Sequence, residues 1–86
     1  MSKLNIDPNT LSRPDRYKLM CALVIPRPIA LVTTISKNGI VNAAPFSFFN
    51  VFSDKPSIVA LGVNAKPEGG LKDTAANIKE QKEFVV

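Results

Sequence analysis

A β-branched run followed at once by an Asn-Gly turn is the feature that most restricts how this chain can fold. The run occupies residues 29–36, the turn is Lys37-Asn38-Gly39, and residues 40–44 are again largely apolar. β-branched side chains favour strands, and Asn-Gly between two such runs is typical of a tight hairpin. The sequence therefore predicts an antiparallel hairpin here.

Alternation along the first strand predicts which of its side chains share a face. Leu31, Thr33 and Ile35 fall on one face, and the even-numbered residues of 30–36 fall on the other. Both faces carry apolar side chains, so we expect a closed barrel or a strand that is covered on both sides.

Other elements are expected on either side of the hairpin. A helix of one or two turns, capped by Asp15, should end before Pro26. Residues 57–63 have the aliphatic content of a strand. Gly62, in that strand, permits close approach of another backbone. Residues 71–81 predict a second helix, with Asp73 or Thr74 as its cap.

The two ends of the chain predict different things. Residues 1–14 contain turn chemistry and little apolar content, which indicates a mobile lead-in. Residues 83–86 resemble the opening of another strand. We therefore expect residues 15–86 to be the N-terminal part of a larger domain.

The composition excludes several kinds of chemistry. The chain has no histidine and one cysteine, Cys21, so histidine acid-base catalysis, Ser-His nucleophiles, most zinc sites and internal disulfides are ruled out. Cys21 itself is expected to be a small buried apolar residue with no catalytic role. Any enzymatic chemistry is then expected to reside on a bound cofactor.

The N-terminal sequence, the charge distribution and the glycine pattern exclude further classes of protein. No secretory signal precedes residue 15, and the longest apolar run is broken by Pro26, Arg27 and Pro28, which predicts a cytoplasmic protein that does not span a membrane. The net charge of +4 is spread along the chain, which favours a solvated surface over a nucleic-acid footprint. Neither GxGxxG nor GxxxxGK occurs, so a Rossmann domain and a P-loop are excluded.

Residues 41–50 mix small, hydroxyl and amide side chains with aromatics, as a pocket for a flat ligand with a polar edge requires. Further along, Lys72 stands next to the expected start of the second helix. A cation and free backbone N–H groups could meet the same anion there.

Several motifs in a fixed order resemble the flavin reductase-like family of FMN-binding split β-barrel proteins. They are residues 26–34, residues 42–50, Lys72-Asp73-Thr74 with the Asn77-Ile78 that follows, and residues 83–86. The resemblance extends from about Arg16 to the end of the chain. It implies a mainly β fold with one or two short helices, in a Greek-key split barrel that is usually a homodimer with FMN near the subunit interface.

The resemblance also implies a reaction. Hydride would pass from NADH or NADPH to bound FMN, and the reduced flavin would give electrons to a small molecule or a partner protein. No catalytic side chain and no metal are needed for this.

Two groups of residues follow from the resemblance as FMN ligands. Lys72, the Thr74 hydroxyl and the helix N–H groups would hold the phosphate, although the residues alone favour simple helix capping. The flavin ring would meet the polar groups of Ser47 and Asn50, the backbone amides of Ala43 and Ala44, and phenylalanine walls from Phe46, Phe48 and Phe49. The phenylalanines are equally core candidates, and Phe46 and Phe48 share a face if the strand extends that far.

The remaining candidates each have two interpretations. Thr33 and Thr34 match ligand-facing family positions, but threonine is also common in strands, and only one of the two can point inward. Arg27, held between prolines, would bind either a phosphate or an acidic group at an interface. Asn42 would either bond flavin or close the strand end.

Other functions remain open at this point. A flavin carrier without turnover would keep its flavin oxidised when mixed with NADH or NADPH. A basic OB-like barrel would bind single-stranded nucleic acid in a salt-dependent way and ignore FMN. An inactive fragment would do neither.

Overall fold

The computed structural model describes residues 4–86 and is mainly sheet with two helices, as the sequence predicts. Met1 to Lys3, the start of the predicted lead-in, lie outside the described residues. The elements in chain order are a 3₁₀ turn (Pro8–Thr10), α1 (Arg13–Leu23), β1 (Ala30–Ile35), β2 (Val41–Phe46), β3 (Phe49–Asp54), β4 (Ser57–Leu61) and α2 (Asp73–Gln81). The predicted lead-in therefore contains the 3₁₀ turn and the first residues of α1.

The predicted hairpin is present as β1 and β2. The strands are antiparallel, with Ala30 opposite Phe46 and Ile35 opposite Val41. The turn closes with the Gly39 N–H donating to the Ser36 carbonyl at 2.9 Å, and Gly39 has a φ of +81°. A glycine at that position accepts the left-handed conformation without the penalty of a Cβ, which explains why the Asn-Gly pair makes a turn here.

Helix α1 is longer than the sequence indicates, and its cap is a different residue. It has 11 residues, and Ser12 is the N-cap, with its hydroxyl accepting from the Asp15 N–H at 3.3 Å. The prediction of one or two turns capped by Asp15 is therefore wrong. Pro14 stands in the first turn, where a missing N–H costs nothing, so the last two residues of the predicted lead-in belong to the helix.

Strand β3 is an element that the sequence did not predict. It pairs with β4 in an antiparallel hairpin, with a register shift between Val51 and Ser53. Strand β2 stops at Phe46, and a bend at Ser47 and Phe48 leads into β3. Phe46 and Phe48 were expected to share a face only if the strand extended to Phe48, and β2 does not extend that far.

Helix α2 packs on the inner face of the first hairpin and creates the small core. On this face Ala30 is 2% exposed and Val32 is fully buried. Two side-chain hydrogen bonds join the helix to the strands: Asn42 Nδ2 donates to Thr74 Oγ1, and Asn77 Nδ2 donates to Thr34 Oγ1, both at 3.0 Å. The buried hydroxyls are thereby satisfied, as buried polar groups normally are.

The ends of α2 also differ from expectation. Its N-cap is Lys72, in extended conformation and without a side-chain capping bond, so neither Asp73 nor Thr74 caps the helix. Thr74 instead points toward the hairpin and is 2% exposed. After the helix, the Thr33 N–H donates to the Val85 carbonyl at 2.9 Å, and the Val85 N–H returns a bond at 3.0 Å. The C-terminal residues thus begin to pair as a strand beside β1, as predicted.

The outer face of the first hairpin is exposed in this chain. Leu31 is 61% exposed, and its neighbours Ile35 and Val41 are also exposed. The expectation that both faces are covered therefore holds for one face only, the one under α2. Neither α1 nor α2 has the length and apolar character needed to cross a bilayer.

Candidate functional site

The start of α2 and the end of β2 together line a cleft of about 280 Å³, which we call the α2 cleft. The strand gives it small and flat walls, and the helix start and the preceding loop give it charge. Its lining residues are Asn42, Ala44, Pro45, Phe46, Lys66, Lys72, Asp73 and Thr74. Five of the residues predicted from the sequence therefore meet in one place: Asn42, Ala44, Phe46, Lys72 and Thr74.

The helix end that faces this cleft has free donors. The first N–H groups of an α-helix have no partner within the helix, and no side chain of residues 4–86 caps those of α2. The helix dipole adds partial positive charge at the same end. An anion in the cleft can therefore accept hydrogen bonds that the fold leaves open.

Two lysines and one aspartate set the local charge. Lys72 Nζ lies 5.9 Å from the centre of the Phe46 ring, at the outer limit of a cation–π contact. Lys66 reaches the cleft because its loop folds back, with the Lys66 N–H donating to the Gly70 carbonyl at 3.1 Å. Asp73, in the first turn, lines the same cleft and opposes an anion. The cations outnumber the carboxylate, so the balance favours a negative ligand.

Thr74 and Asn42 act together. Because the Asn42 amide donates to the Thr74 oxygen, the Thr74 hydroxyl keeps its own proton for another acceptor. Asn42 therefore does more than close the strand end: it fixes the side chain that lines the floor of the α2 cleft.

A smaller recess of about 130 Å³ adjoins the α2 cleft and contains Ser47. The recess and the cleft share Pro45, Phe46 and Lys72. Gly62 lies on its far wall, where a Cβ would stand 3.0 Å from the Phe48 Cβ. The prediction that Gly62 permits a close approach is confirmed.

The side chains of two expected ring ligands lie elsewhere, while the expectation for the Ala43 backbone amide stays a prediction. Ala43 is exposed, and its register places it on the outer face of the hairpin, away from α2. Asn50 is exposed on β3, and its own Oδ1 accepts from the Val51 N–H at 2.8 Å. Neither side chain lines the α2 cleft or the recess beside it.

Thr33 and Thr34 line a different pocket, of about 240 Å³, beside the C-terminal residues. As the alternation predicts, only one of them points inward: Thr34 is buried and its hydroxyl accepts from Asn77. Thr34 therefore has a structural role, holding α2 on the hairpin.

Arg27 lies on the other side of Ser47, in a pocket of about 250 Å³ that also contains Cys21. Its guanidinium carbon is 5.2 Å from the centre of the Phe48 ring. Its Nη1 atom is buried and finds no hydrogen-bond partner among residues 4–86. Arg27 does not line the α2 cleft, so it does not share an anion with Lys72 in this conformation.

The sequence did not point to Lys66 or Asn64 as site residues. Lys66 belongs to a loop that folds back only in the tertiary structure, and Asn64 reaches the recess from the loop that follows β4. The one available signal was the Gly69-Gly70 pair after Lys66, which is typical of a tight turn.

The chain belongs to the flavin reductase-like family. The model of the flavin reductase like domain matches residues 21–86. Among curated relatives, the uncharacterized protein BH2278 of Halalkalibacterium halodurans is 52% identical over 83 residues, and the uncharacterized YwrF of Bacillus subtilis is 58% identical over 76. These alignments cover 96% and 88% of this chain but span only 40% and 37% of the two relatives.

Two solved structures share the fold. Nitrilotriacetate monooxygenase component B from Bacillus cereus matches with a TM-score of 0.82 and 39% identity, over 98% of this chain and 41% of its own. Pseudomonas fluorescens 2-nitrobenzoate 2-nitroreductase NbaA matches with a TM-score of 0.75 and 38% identity, over 96% and 39%. The fold is therefore part of the flavin reductase-like split barrel, as predicted. The family implies flavin binding.

The α2 cleft has the chemistry that one end of a flavin nucleotide requires. A phosphate needs N–H donors and cations, and the uncapped start of α2 with Lys66 and Lys72 supplies both. A ring needs flat apolar walls, which Phe46 and Pro45 provide. Small-molecule sites usually occupy about 300–1,000 Å³, so a whole flavin nucleotide needs the α2 cleft together with neighbouring space.

Proposed function

We propose that this chain binds FMN with its phosphate at the start of α2, and that the protein it represents transfers hydride from NADH or NADPH to the bound flavin. The observation that carries the proposal is the uncapped helix end beside Lys66 and Lys72. Family membership supports it, because the family model is that of a flavin reductase like domain.

Each residue of the cleft has a task in this proposal. Lys72 and the N–H groups of the first helical turn hold the phosphate, and Thr74 donates its hydroxyl proton to the same group. Asn42 orients Thr74. Phe46 and Ala44 leave a flat space for the ring, and Ser47 in the adjoining recess is the nearest polar group for the ring edge.

When bound, FMN supplies the capacity to accept hydride, so the protein needs neither a nucleophile nor a general base. The chain's own contribution is to position the nucleotide and to exclude water from one side of the ring. This fits the absence of histidine. The two structural neighbours are a monooxygenase component and a nitroreductase, which supports an oxidoreductase role.

We also propose that the active form is a homodimer that passes electrons to a small molecule or a partner protein. The exposed apolar outer face of the first hairpin, with Leu31 and Val41, supports a further covering element. Analytical ultracentrifugation with and without FMN checks this part separately.

The first experiment compares FMN with riboflavin, which lacks the phosphate, by following flavin fluorescence as protein is added. FMN should bind at least about tenfold more tightly, because charge-assisted hydrogen bonds contribute about 1.5–3 kcal/mol each. Lys72→Gln should weaken FMN binding about tenfold and leave the affinity for riboflavin unchanged. Lys79→Gln, in the last turn of the same helix, is the matched control.

Asp73→Asn tests whether the charge in the α2 cleft favours an anion. Removing the carboxylate that lines the α2 cleft should tighten FMN binding a few-fold. Equal affinity for FMN and riboflavin, or equal losses from Lys72→Gln and Lys79→Gln, would contradict the phosphate assignment.

Turnover is tested separately by rapid mixing of the FMN-loaded protein with NADH and then NADPH. Loss of the visible flavin absorbance within seconds supports a reductase. A flavin that binds but stays oxidised would instead establish the carrier function.

A further inference from the structure

A second and larger cleft lies between α1 and the loop that follows β4. Its volume is about 740 Å³, within the range of small-molecule sites. We call it the α1 cleft. Its lining residues are Arg13, Pro14, Arg16, Tyr17, Met20, Phe48, Asn64, Ala65, Lys66, Pro67 and Lys72.

One part of this cleft is aromatic. The rings of Tyr17 and Phe48 have centroids 5.9 Å apart and planes tilted by 46°, which is a favourable edge-tilted contact. Tyr17 nevertheless remains 52% exposed, and Met20 beside it is partly exposed as well. A flat apolar surface is therefore open to a ligand ring.

The other part is cationic. Arg13 and Arg16 from α1 and Lys66 and Lys72 from the loop all line the cleft, and no carboxylate lines it. Within residues 4–86 the one salt bridge joins Lys37 to Glu80, so none of these cations is neutralised by an acidic partner there. Converging cations without carboxylates favour an anion.

The arginines also keep donors for a ligand. Arg13 Nη2 donates to the Ala65 carbonyl at 3.3 Å, which holds α1 against the loop. Arg16 Nη1 makes only long contacts, of 3.4 Å to the Pro8 carbonyl and 3.5 Å to the Leu11 carbonyl. Each guanidinium has further N–H groups in a planar fork that suits carboxylate or phosphate oxygens.

From these observations we propose that the α1 cleft binds a planar aromatic anion, with the ring on Tyr17 and Phe48 and the carboxylate or phosphate on the arginines. The α1 cleft adjoins the proposed FMN site. It shares Lys66 and Lys72 with the α2 cleft, and Tyr17, Phe48, Asn64 and Lys72 with the recess that contains Ser47. Arg13, Arg16 and Met20 line the α1 cleft alone. The proposal does not depend on flavin binding.

The test is an amide NMR titration of the nitrogen-labelled 86-residue chain. Three probes share a ring system: naphthoate, naphthyl phosphate and uncharged naphthamide. The first two should shift the amides of Arg16, Tyr17 and Met20, and naphthamide should bind at least about tenfold more weakly. Comparison of the first two shows whether the site prefers a carboxylate or a phosphate.

Variants distinguish a specific binding site from nonspecific adsorption to an exposed surface. Arg16→Gln and, independently, Arg13→Gln should each weaken naphthoate binding about fivefold. Lys18→Gln, on α1 but not among the lining residues, should leave it unchanged. Equal weakening by Lys18→Gln, or equal binding of naphthamide, would overturn the proposal.

Repeating the titration with FMN present keeps the two proposals distinguishable. Naphthoate shifts at Arg16 and Met20 that persist support a site that FMN leaves open. Loss of naphthoate binding once FMN is bound would mean that the two ligands compete for the shared residues, and would overturn it. Naphthoate shifts confined to Asn42, Ala44 and Thr74 would overturn the α1 site without affecting the FMN proposal. Failure of FMN to bind would leave the shifts on α1 unaltered.

Discussion

The two hairpins of this protein have the same topology but very different surroundings. β1 and β2 are covered on one face by α2, where Val32 is fully buried. β3 and β4 form a second two-stranded sheet, and their large side chains are open, with Val51 64% and Phe52 72% exposed. A hairpin's local sequence therefore does not decide whether it contributes to a core.

The comparison teaches that the proposed site depends on the covered hairpin. The Asn42–Thr74 hydrogen bond ties α2 to β2, the strand that carries Asn42 and Ala44, and the Asn77–Thr34 hydrogen bond ties it to β1. Two-stranded sheets are marginally stable alone, so this helix contact is what makes the first hairpin a rigid wall.

The largest expected difference comes from matched valines. Val32→Ala should lower the free energy of unfolding by about 2 kcal/mol, because it deletes buried methyl groups and leaves a cavity. Val51→Ala, on the exposed hairpin, should change it by less than about 0.5 kcal/mol. Urea denaturation measures both, and similar values for the two variants would remove the distinction between the hairpins.

A smaller effect should come from the hydrogen bonds under α2. Thr34→Val keeps the shape but leaves the Asn77 amide without its partner, at a cost of about 1–2 kcal/mol. Thr33→Val is the neighbouring control, since within residues 4–86 the Thr33 hydroxyl makes no hydrogen bond. Amide exchange on α2 should speed up in the first variant alone.

Gly62→Ala probes the one tight contact at the open end of the second hairpin. The new Cβ would stand 3.0 Å from the Phe48 Cβ, a crowding that costs about 1 kcal/mol or more. Alanine also lowers the conformational entropy of the unfolded chain, which raises the free energy of unfolding by about 0.4–1 kcal/mol. The net loss should be about 0.5 kcal/mol by urea denaturation, and a clear gain in stability would show that Phe48 is free to move.

The smallest effect is expected at the surface. Lys37 Nζ lies 3.9 Å from Glu80 Oε1, and both side chains are largely exposed. Glu80→Gln should change the free energy of unfolding by less than about 0.5 kcal/mol at moderate salt. A larger, salt-dependent loss would mean that this ion pair helps to fix α2 on the hairpin.

The first hairpin and the second helix could be predicted because their signals are local. The Asn-Gly turn, the alternation of residues 30–36 and the alanine-rich run after Lys72 each act within a few residues. The helix caps and β3 could not be predicted in the same way. Ser12 competes with Asp15 as a cap, and the Phe49–Asp54 segment lacks polar alternation.

The candidate site likewise has residues that local signals predict and residues that they do not. Lys72 at a helix start and Asn42 at one end of a strand could be identified as candidates from the sequence, and both line the α2 cleft. Ala43 and Asn50 could not be separated from Ala44 and Ser47, because the separation depends on strand register and on the bend at Ser47 and Phe48.

The sequence alone determined the hairpin, the helix start beside a lysine and the family to which they point, since these follow from backbone preferences and from motifs read in order. Only the tertiary structure decided which hairpin face is buried, which hydroxyls are tied to α2, and that Lys66 folds back beside Lys72. Those outcomes depend on contacts between residues far apart in the chain, and no local pattern encodes them.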